Sequence, residues 1–165
     1  MSILLSVNPP YAGWLVDGEK TIEWRKKPLP VGTAYIYETK KNGGCGMVIG
    51  EVEIGKTFFA DANRVSDSAI EDGKVSRFDL QNYAKGQIIC ATFINVAIRY
   101  TKPVPLSEFE RPCPFHEKCF CCKYHFEGGM YEPPSCNYTD VEITRPPQSW
   151  CYVEDLKGGE DNWKT

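Results

Sequence analysis

The segment GEKTIEWRKK, residues 18–27, carries the clearest indication of the fold. Its central residues alternate in character, with Thr21, Glu23 and Arg25 on one side and Ile22 and Trp24 on the other. A period of two residues is typical of a β-strand with one apolar and one polar face. The segment is therefore predicted to be a strand whose polar face carries both acidic and basic groups.

The polar face of this strand is also a candidate binding site. Lysine supplies a point charge, arginine a planar fork of donors, and glutamate an acceptor, and together they can hold an anion or the edge of a base. Lys20, Glu23 and Arg25 bring these three groups together within six residues. The spacing alone leaves open an ordinary solvated strand face with cross-strand pairs.

Alternating or apolar runs predict further strands on both sides of this segment. They are ILLSV (3–7), TAYIYET (33–39), MVIGEVEIGKTFFA (47–60), QIICATFINVAIRY (87–100) and a last strand around Trp150–Val153. Gly50 and Gly55 predict bulges or close approaches within the strand at 47–60.

Helices are predicted in three places between these strands. Asn8 stands where it can cap a helix over YAGWLVDG (11–18), since proline is tolerated in a first helical turn. The polar segment 61–85 predicts one or two helices, and residues 102–109 predict a turn and a short helix begun by Ser107. The fold class is therefore predicted as mixed α/β, mainly β: a small, partly closed barrel of five to six strands with flanking helices.

Length and charge limit the classes of function. A chain of 165 residues suffices for one domain with a full core, and the net charge of −3 restricts any nucleic-acid site to a local patch. Residues 18–41 fit such a patch, with six Lys or Arg and three Glu giving a local charge of +3. No apolar run approaches the roughly 18 residues of a membrane helix. The N-terminus lacks the basic region of a signal peptide, so a cytoplasmic location is expected.

Gly18-Glu19-Lys20-Thr21-Ile22-Glu23-Trp24-Arg25 resembles the G-x-K-x-x-E-x-R signature of ASCH (activating signal cointegrator homology) domains, relatives of the PUA fold. The family's other elements are resembled by ILLSVNPPYAGWLVDGEKTIEWRKK, YIYET…VIGEVEI, YAKGQIICATFINVAIRYTKPVPLSEF and RPPQSWCYVEDL. These segments cover most of residues 3–110 and 143–156. The resemblance implies a PUA-like β-barrel with a charged cleft that faces RNA or a modified nucleotide.

The resemblance also implies which residues form the cleft. The signature strand and its basic extension would contact phosphate or base edges, and the closing P-Q-S-W motif would line or support the cleft. Trp150 could stack on a base or could instead seal the barrel as a core side chain. The expected nucleic-acid contacts are Lys20, Glu23, Arg25, Lys26, Lys27, Gln148, Ser149 and Trp150.

Two alternatives to a binding module are kept. Some compact relatives in this family hydrolyse an N4-acylated cytidine with a lysine and a threonine on this strand, and Lys20 matches that lysine. Glu23 stands at the position of the threonine and Thr21 lies on the other side of Lys20, so a hydrolase here would use Lys20 and Glu23 as acid and base. The second alternative is a protein-interaction module.

A cysteine-rich segment, CPFHEKCFCCKYHF at 113–126, interrupts the segments that resemble the family. It belongs to a predicted insertion over 111–139 within a single domain of residues 1–158, which a polar tail at 159–165 follows. The C-x2-C spacing of Cys119 and Cys122 lets two thiolates of one turn bind the same tetrahedral ion. A structural zinc site is therefore predicted, with Cys113, Cys119, Cys122 and Cys136 as ligands and His116 or His125 as alternates.

Other interpretations of these cysteines stay open. Reduced thiols packed in a metal-free loop, disulfides, or a catalytic metal would each use the same residues differently. A cysteine nucleophile paired with His116 or His125 is conceivable, although no local signature supports it. Of the cysteines elsewhere, Cys90 is expected in the core, Cys45 in a glycine-rich turn and Cys151 on the last strand.

Overall fold

The computed structural model describes residues 2–112 and 142–156. Its strands are β1 (Ser2–Val7), β2 (Ile22–Arg25), β3 (Gly32–Glu38), β4 (Val48–Asp61), β5 (Ile88–Val104) and β6 (Trp150–Val153). The helices are α1 (Tyr11–Val16), α2 (Asp67–Asp72) and α3 (Arg77–Ala84), with 3-10 turns at Lys41–Gly43 and Leu106–Glu108. The mixed, mainly β class and the six strands are confirmed.

All six strands form one sheet in the order β2-β5-β4-β3-β1-β6. Only β1 and β3 run parallel, and the other neighbours are antiparallel. Within the described residues β2 and β6 are the two edges, so the sheet is not closed into a barrel and the word describes its shape only approximately. In the described part of the chain no helix is long and apolar enough to cross a membrane.

The core lies on both faces of this sheet. One cluster gathers side chains of β1, β3 and β4 around α1, and a second packs under the chain near Phe109 and Ile143. A third joins Ile22 and Trp24 of β2 to Leu80 of α3. Both helices of the mid-chain pair begin at a serine whose hydroxyl accepts a main-chain N–H three residues on. This pair fixes the apolar face of β2 against the rest of the molecule.

The glycines of β4 mark irregular pairing, as the sequence indicated. The register between β4 and β5 shifts next to Gly50 and again between Ile54 and Thr57. A Cβ at Gly50 would lie 2.3 Å from the carbonyl oxygen of Ile98 and 2.7 Å from Cγ1 of Val16. The missing side chain therefore lets α1 lie directly on the sheet.

Three local predictions were wrong. Asn8 does not cap α1, because its side-chain oxygen accepts a 2.6 Å hydrogen bond from the hydroxyl of Thr39, and Pro10 is the N-cap instead. The short helix after β5 begins after Pro105, not at Ser107. The turn predicted from residue 102 is also wrong, because β5 continues through Pro103 to Val104. The ladder tolerates this proline because β2 pairs only with Cys90–Phe93 of β5.

The two described stretches of chain meet beside β6. Glu110 and Glu142 form an antiparallel bridge, and the main-chain N–H of Glu154 donates to the carbonyl of Glu110 at 2.9 Å. The predicted zinc ligands lie outside the described residues: they are Cys113, Cys119, Cys122 and Cys136, with the alternates His116 and His125.

Candidate functional site

Lys20 is a buried lysine at the turn between α1 and β2. Its main-chain N–H donates to the carbonyl of Trp14, and its side chain turns inward so that only 3% of the residue is exposed. Three acceptors surround the ammonium: the carbonyl of Ile22, the carbonyl of Gly73 at 2.8 Å, and Oε2 of Glu23 at 3.3 Å. An ammonium has three N–H donors, so each one has an acceptor within the chain.

Burial lowers the pKa of Lys20 below its usual value, because desolvation disfavours the charged form. The carboxylate of Glu23 opposes this shift through its charge and its hydrogen bond. The charge of Arg25 lowers the pKa further. Two opposing effects therefore act on the pKa of Lys20: desolvation lowers it, and the buried carboxylate of Glu23 raises it.

Glu23 joins the two cations of this strand. The residue is 5% exposed, so this position does not belong to a solvated strand face. Its Oε2 pairs with Lys20 and its Oε1 accepts from Nε of Arg25 at 2.7 Å. Opposite Glu23 lies Thr92, which is fully buried and exchanges a 2.9 Å hydroxyl hydrogen bond with Thr57.

Arg25 connects this network to the end of β1 and to Ser149. One terminal nitrogen donates to the main-chain carbonyl of Ser6 at 3.0 Å, and the other to the hydroxyl of Ser149 at 3.4 Å. With Nε bound to Glu23, three of its five N–H donors are engaged. The guanidinium thus spans the open space between β2 and the end of β1.

A cavity of about 610 Å³ lies at this open space. Its walls come from the end of β1 and the first turn of α1, from β2, from the α2–α3 region, and from residues 146–148. This volume falls within the roughly 300–1,000 Å³ of small-molecule sites. The lining side chains that carry chemistry are Ser6, Asn8, Tyr11, Lys20, Glu23, Arg25, Thr39, Lys41, Asp79, Tyr83 and Gln148.

The residues predicted from the sequence are placed unevenly around the cavity. Lys20, Glu23, Arg25 and Gln148 line it. Lys26 and Lys27 are exposed at the end of β2, and the hydroxyl of Ser149 receives the hydrogen bond from the arginine. Trp150 is half-buried against the core cluster of α1, with its ring edge-on to Tyr152, and is not among the lining residues.

Most of the cavity wall was not predicted from the sequence, including Tyr11, Gly73 and Tyr83. Tyr11 lies with its ring centroid 6.0 Å from the ammonium of Lys20, and Tyr83 reaches the same cavity from α3. Gly73 supplies a carbonyl to Lys20 from more than fifty residues away. No local pattern marks such contacts, although Tyr11 directly follows the Asn-Pro-Pro that ends β1.

Gly73 is also packed against Trp24. A Cβ on this glycine would lie 2.0 Å from Nε1 of the indole, so no larger residue fits without displacement. That Nε1 is buried without a hydrogen-bond partner among the described residues. The close approach places the end of α2 directly over β2.

The three cysteines in the described part of the chain are free thiols. Cys90 is buried, as predicted, while Cys45 is exposed and Cys151 half-buried. Residues 2–112 and 142–156 contain no group of three or more His, Cys, Asp or Glu able to hold a metal ion. The zinc prediction concerns other residues and stays a prediction.

Comparison with known proteins gives a family and a fold. The ASCH domain model matches residues 5–135, and no curated protein matches the chain. The crystal structure of ASCH from Zymomonas mobilis is similar with a TM-score of 0.62 and 19% identity, over 93% of this chain and 87% of that one. Crystal structures of two mutants of the Zymomonas mobilis protein give the same TM-score at 18% identity, over 94% of this chain. At such identity the likeness concerns the fold alone.

Proposed function

The chain belongs to the ASCH domain family, and we propose that its cleft binds RNA or a modified nucleotide. The observation that carries the proposal is the Lys20–Glu23–Arg25 network, with Lys20 and Glu23 buried, on the wall of a cavity of about 610 Å³. Burying the charges of Lys20 and Glu23 costs several kcal/mol per ion unless each is paired. A chain that keeps them beside an open cavity has a use for their donors and acceptors.

Each residue of the network has its own role in binding. Lys20 has an acceptor for each N–H, so it positions Glu23 and the end of α2. Arg25 retains two N–H donors for a phosphate or a base edge. Glu23 accepts one contact on each oxygen and keeps further lone pairs for a base amine. Exposed Lys41 adds a point charge at the cavity edge.

A salt titration with a matched arginine control tests this proposal. Fluorescein-labelled octauridylate and octaadenylate are titrated with protein between about 50 and 200 mM KCl. Affinity is expected to fall with salt, and Arg25→Gln is expected to weaken binding while keeping a folded far-UV spectrum. Arg64→Gln is the control, because Arg64 is exposed, is not among the cavity-lining residues and forms an exposed ion pair with Asp61. Absence of binding at the lowest salt, or equal affinities for both variants, would contradict the proposal.

A hydrolase is the second candidate, and the lowered pKa of Lys20 is the observation that favours it. A lysine whose pKa is lowered gives up its proton more readily than an exposed one, and together with Glu23 it would form the acid–base pair of such a reaction. In that reaction water would add across the exocyclic amide of N4-acetylcytidine, giving cytidine and acetate. Chromatographic detection of cytidine that disappears with Lys20→Met would support it, and no release by the wild type would exclude it for this substrate.

The interaction-module alternative concerns the insertion. Because Glu110 and Glu142 are bridged, a linker of a few glycines and serines can replace residues 113–141 without separating them. RNA affinity that survives this replacement would support the cleft as the primary site. Loss of RNA binding in a protein with an unchanged melting temperature would instead indicate that the insertion is the primary binding surface.

A further inference from the structure

One face of α3 forms part of the cavity wall. Asp79 and Tyr83 stand one helical turn apart and both line the cavity. Leu80 and Ala84 are buried and anchor the helix in the core. The hydroxyl of Ser76 accepts from the N–H of Asp79 at 3.0 Å and fixes the first turn. Tyr83 is therefore held at the cavity by a well-anchored element.

The ring of Tyr83 is both part of this wall and open to solvent. The residue is 41% exposed, and the ammonium of Lys26 lies 5.4 Å from its ring centroid. A cation at this distance is attracted by the face of an aromatic ring. The position thus offers a planar apolar surface for stacking next to an exposed positive charge.

The tyrosine ring and the lysine charge together indicate the chemistry of a complementary ligand. A planar ring linked to an anionic group would complement the tyrosine and lysine together. A second aromatic residue, Tyr11, lines the same cavity, and so do Arg25 and Glu23 with their donors and acceptors. A nucleotide has this combination of a flat base, polar base edge and phosphate.

We propose that Tyr83 stacks on a base of the bound RNA and that Lys26 contacts the phosphate of the same nucleotide. The inference rests on the proposed function and makes it more specific. Stacking on a protein ring requires a base that is not paired within a duplex. The preferred ligand is therefore single-stranded RNA, and Tyr83 takes the role that the sequence suggested for Trp150.

Three variants on α3 separate stacking from other effects. Tyr83→Leu removes the ring, and we expect the dissociation constant for octaadenylate to rise about 5- to 150-fold. Tyr83→Phe keeps the ring, and its affinity should stay within about twofold of the wild type. Phe78→Leu is the matched control, because Phe78 is 71% exposed on the same helix and is not among the cavity-lining residues.

A fluorescent base gives a direct readout of stacking. An octamer containing one 2-aminopurine should lose fluorescence on binding the wild type and Tyr83→Phe, but not on binding Tyr83→Leu. An eight-base-pair RNA duplex should bind at least tenfold more weakly than the single strand. Unchanged affinity of Tyr83→Leu, an equal loss in Phe78→Leu, or a duplex bound as tightly would overturn the inference alone. Absence of binding to every probe by the wild type would overturn the proposed function as well.

Discussion

The guanidinium of Arg25 donates to the main-chain carbonyl of Ser6, 3.0 Å away, and thereby joins an edge strand to a strand near the other edge of the same sheet. No strand pairing closes this gap in the described part of the chain. The side chain that the sequence suggests as a ligand contact is thus also a structural link across the cavity.

This link predicts a loss of stability in Arg25→Gln. The substitution removes a charged hydrogen bond to Ser6 and one of the two cations that pair with Glu23. Hydrogen bonds to charged groups contribute about 1.5–3 kcal/mol each. We expect the free energy of unfolding in urea to fall by about 2–4 kcal/mol. Arg64→Gln should stay within about 0.5 kcal/mol, because its ion pair is exposed. Equal effects of the two substitutions would contradict the structural role.

Glu23→Gln should destabilise the protein more than Lys20→Met does. Removing the carboxylate leaves Lys20 and Arg25 close together without their anion, whereas removing the lysine leaves Glu23 paired with Arg25. Breaking a buried pair costs about 3–5 kcal/mol, which we expect for Glu23→Gln, with about 1–3 kcal/mol for Lys20→Met. Urea denaturation at pH 7 measures both, and the reverse order would contradict the assignment of Glu23 as the shared anion.

The lowered pKa of Lys20 predicts a specific pH dependence. The unfolded chain keeps the proton on this lysine up to the ordinary lysine pKa of about 10.5, while the folded chain releases it at lower pH. Stability rises with pH wherever the unfolded state binds more protons. The stability of the wild type relative to Lys20→Met should therefore increase as pH rises toward 10.5 and should be smallest below the folded pKa. A difference that stays flat from pH 7 to 10 would contradict the lowered pKa.

Gly73→Ala should disturb the contact between α2 and β2. The new methyl group would lie 2.0 Å from Nε1 of Trp24, and overpacking of this kind costs about 1–3 kcal/mol. The displacement would also move the carbonyl that Lys20 uses. Gly13→Ala is the control, because among the described residues its methyl would meet only the end of the Arg99 side chain, at 3.4 Å. We expect that control to be neutral or more stable by up to about 1 kcal/mol, since alanine favours a helix.

The predicted zinc site has a simple chemical test. Elemental analysis of purified protein should give about one equivalent of zinc if Cys113, Cys119, Cys122 and Cys136 bind one ion. Replacing Cys119 by serine should remove the metal, whereas Cys45→Ser should not, because Cys45 is a free exposed thiol. Less than about half an equivalent in the wild type would exclude the site.

The strands and the family were accessible from the sequence because their information is local. The alternation around Ile22 and Trp24 identifies β2, and the long apolar run identifies β5 within a few residues of its ends. The start of α1 was predicted less well because a tertiary contact is involved. The side chain of Asn8 accepts a hydrogen bond from Thr39 instead of capping the helix, and Pro10 is the N-cap.

The candidate site could be predicted only in part, because part of its information is not local. Lys20, Glu23 and Arg25 stand out by their spacing, but the burial of Lys20 depends on the carbonyl of Gly73 far along the chain. The exposure of Tyr83 at the cavity likewise depends on how α3 packs beside β2. Chain segments distant in sequence determine such environments, and no periodicity reveals them.

The bridge between Glu110 and Glu142 has a consequence for protein engineering. Two points of the backbone separated by 31 intervening residues are held side by side, next to the last strand and outside the set of cavity-lining residues. A foreign domain whose own termini are close together could be grafted between them. Such a chimera would carry a reporter or an affinity module on the domain without altering its cavity wall.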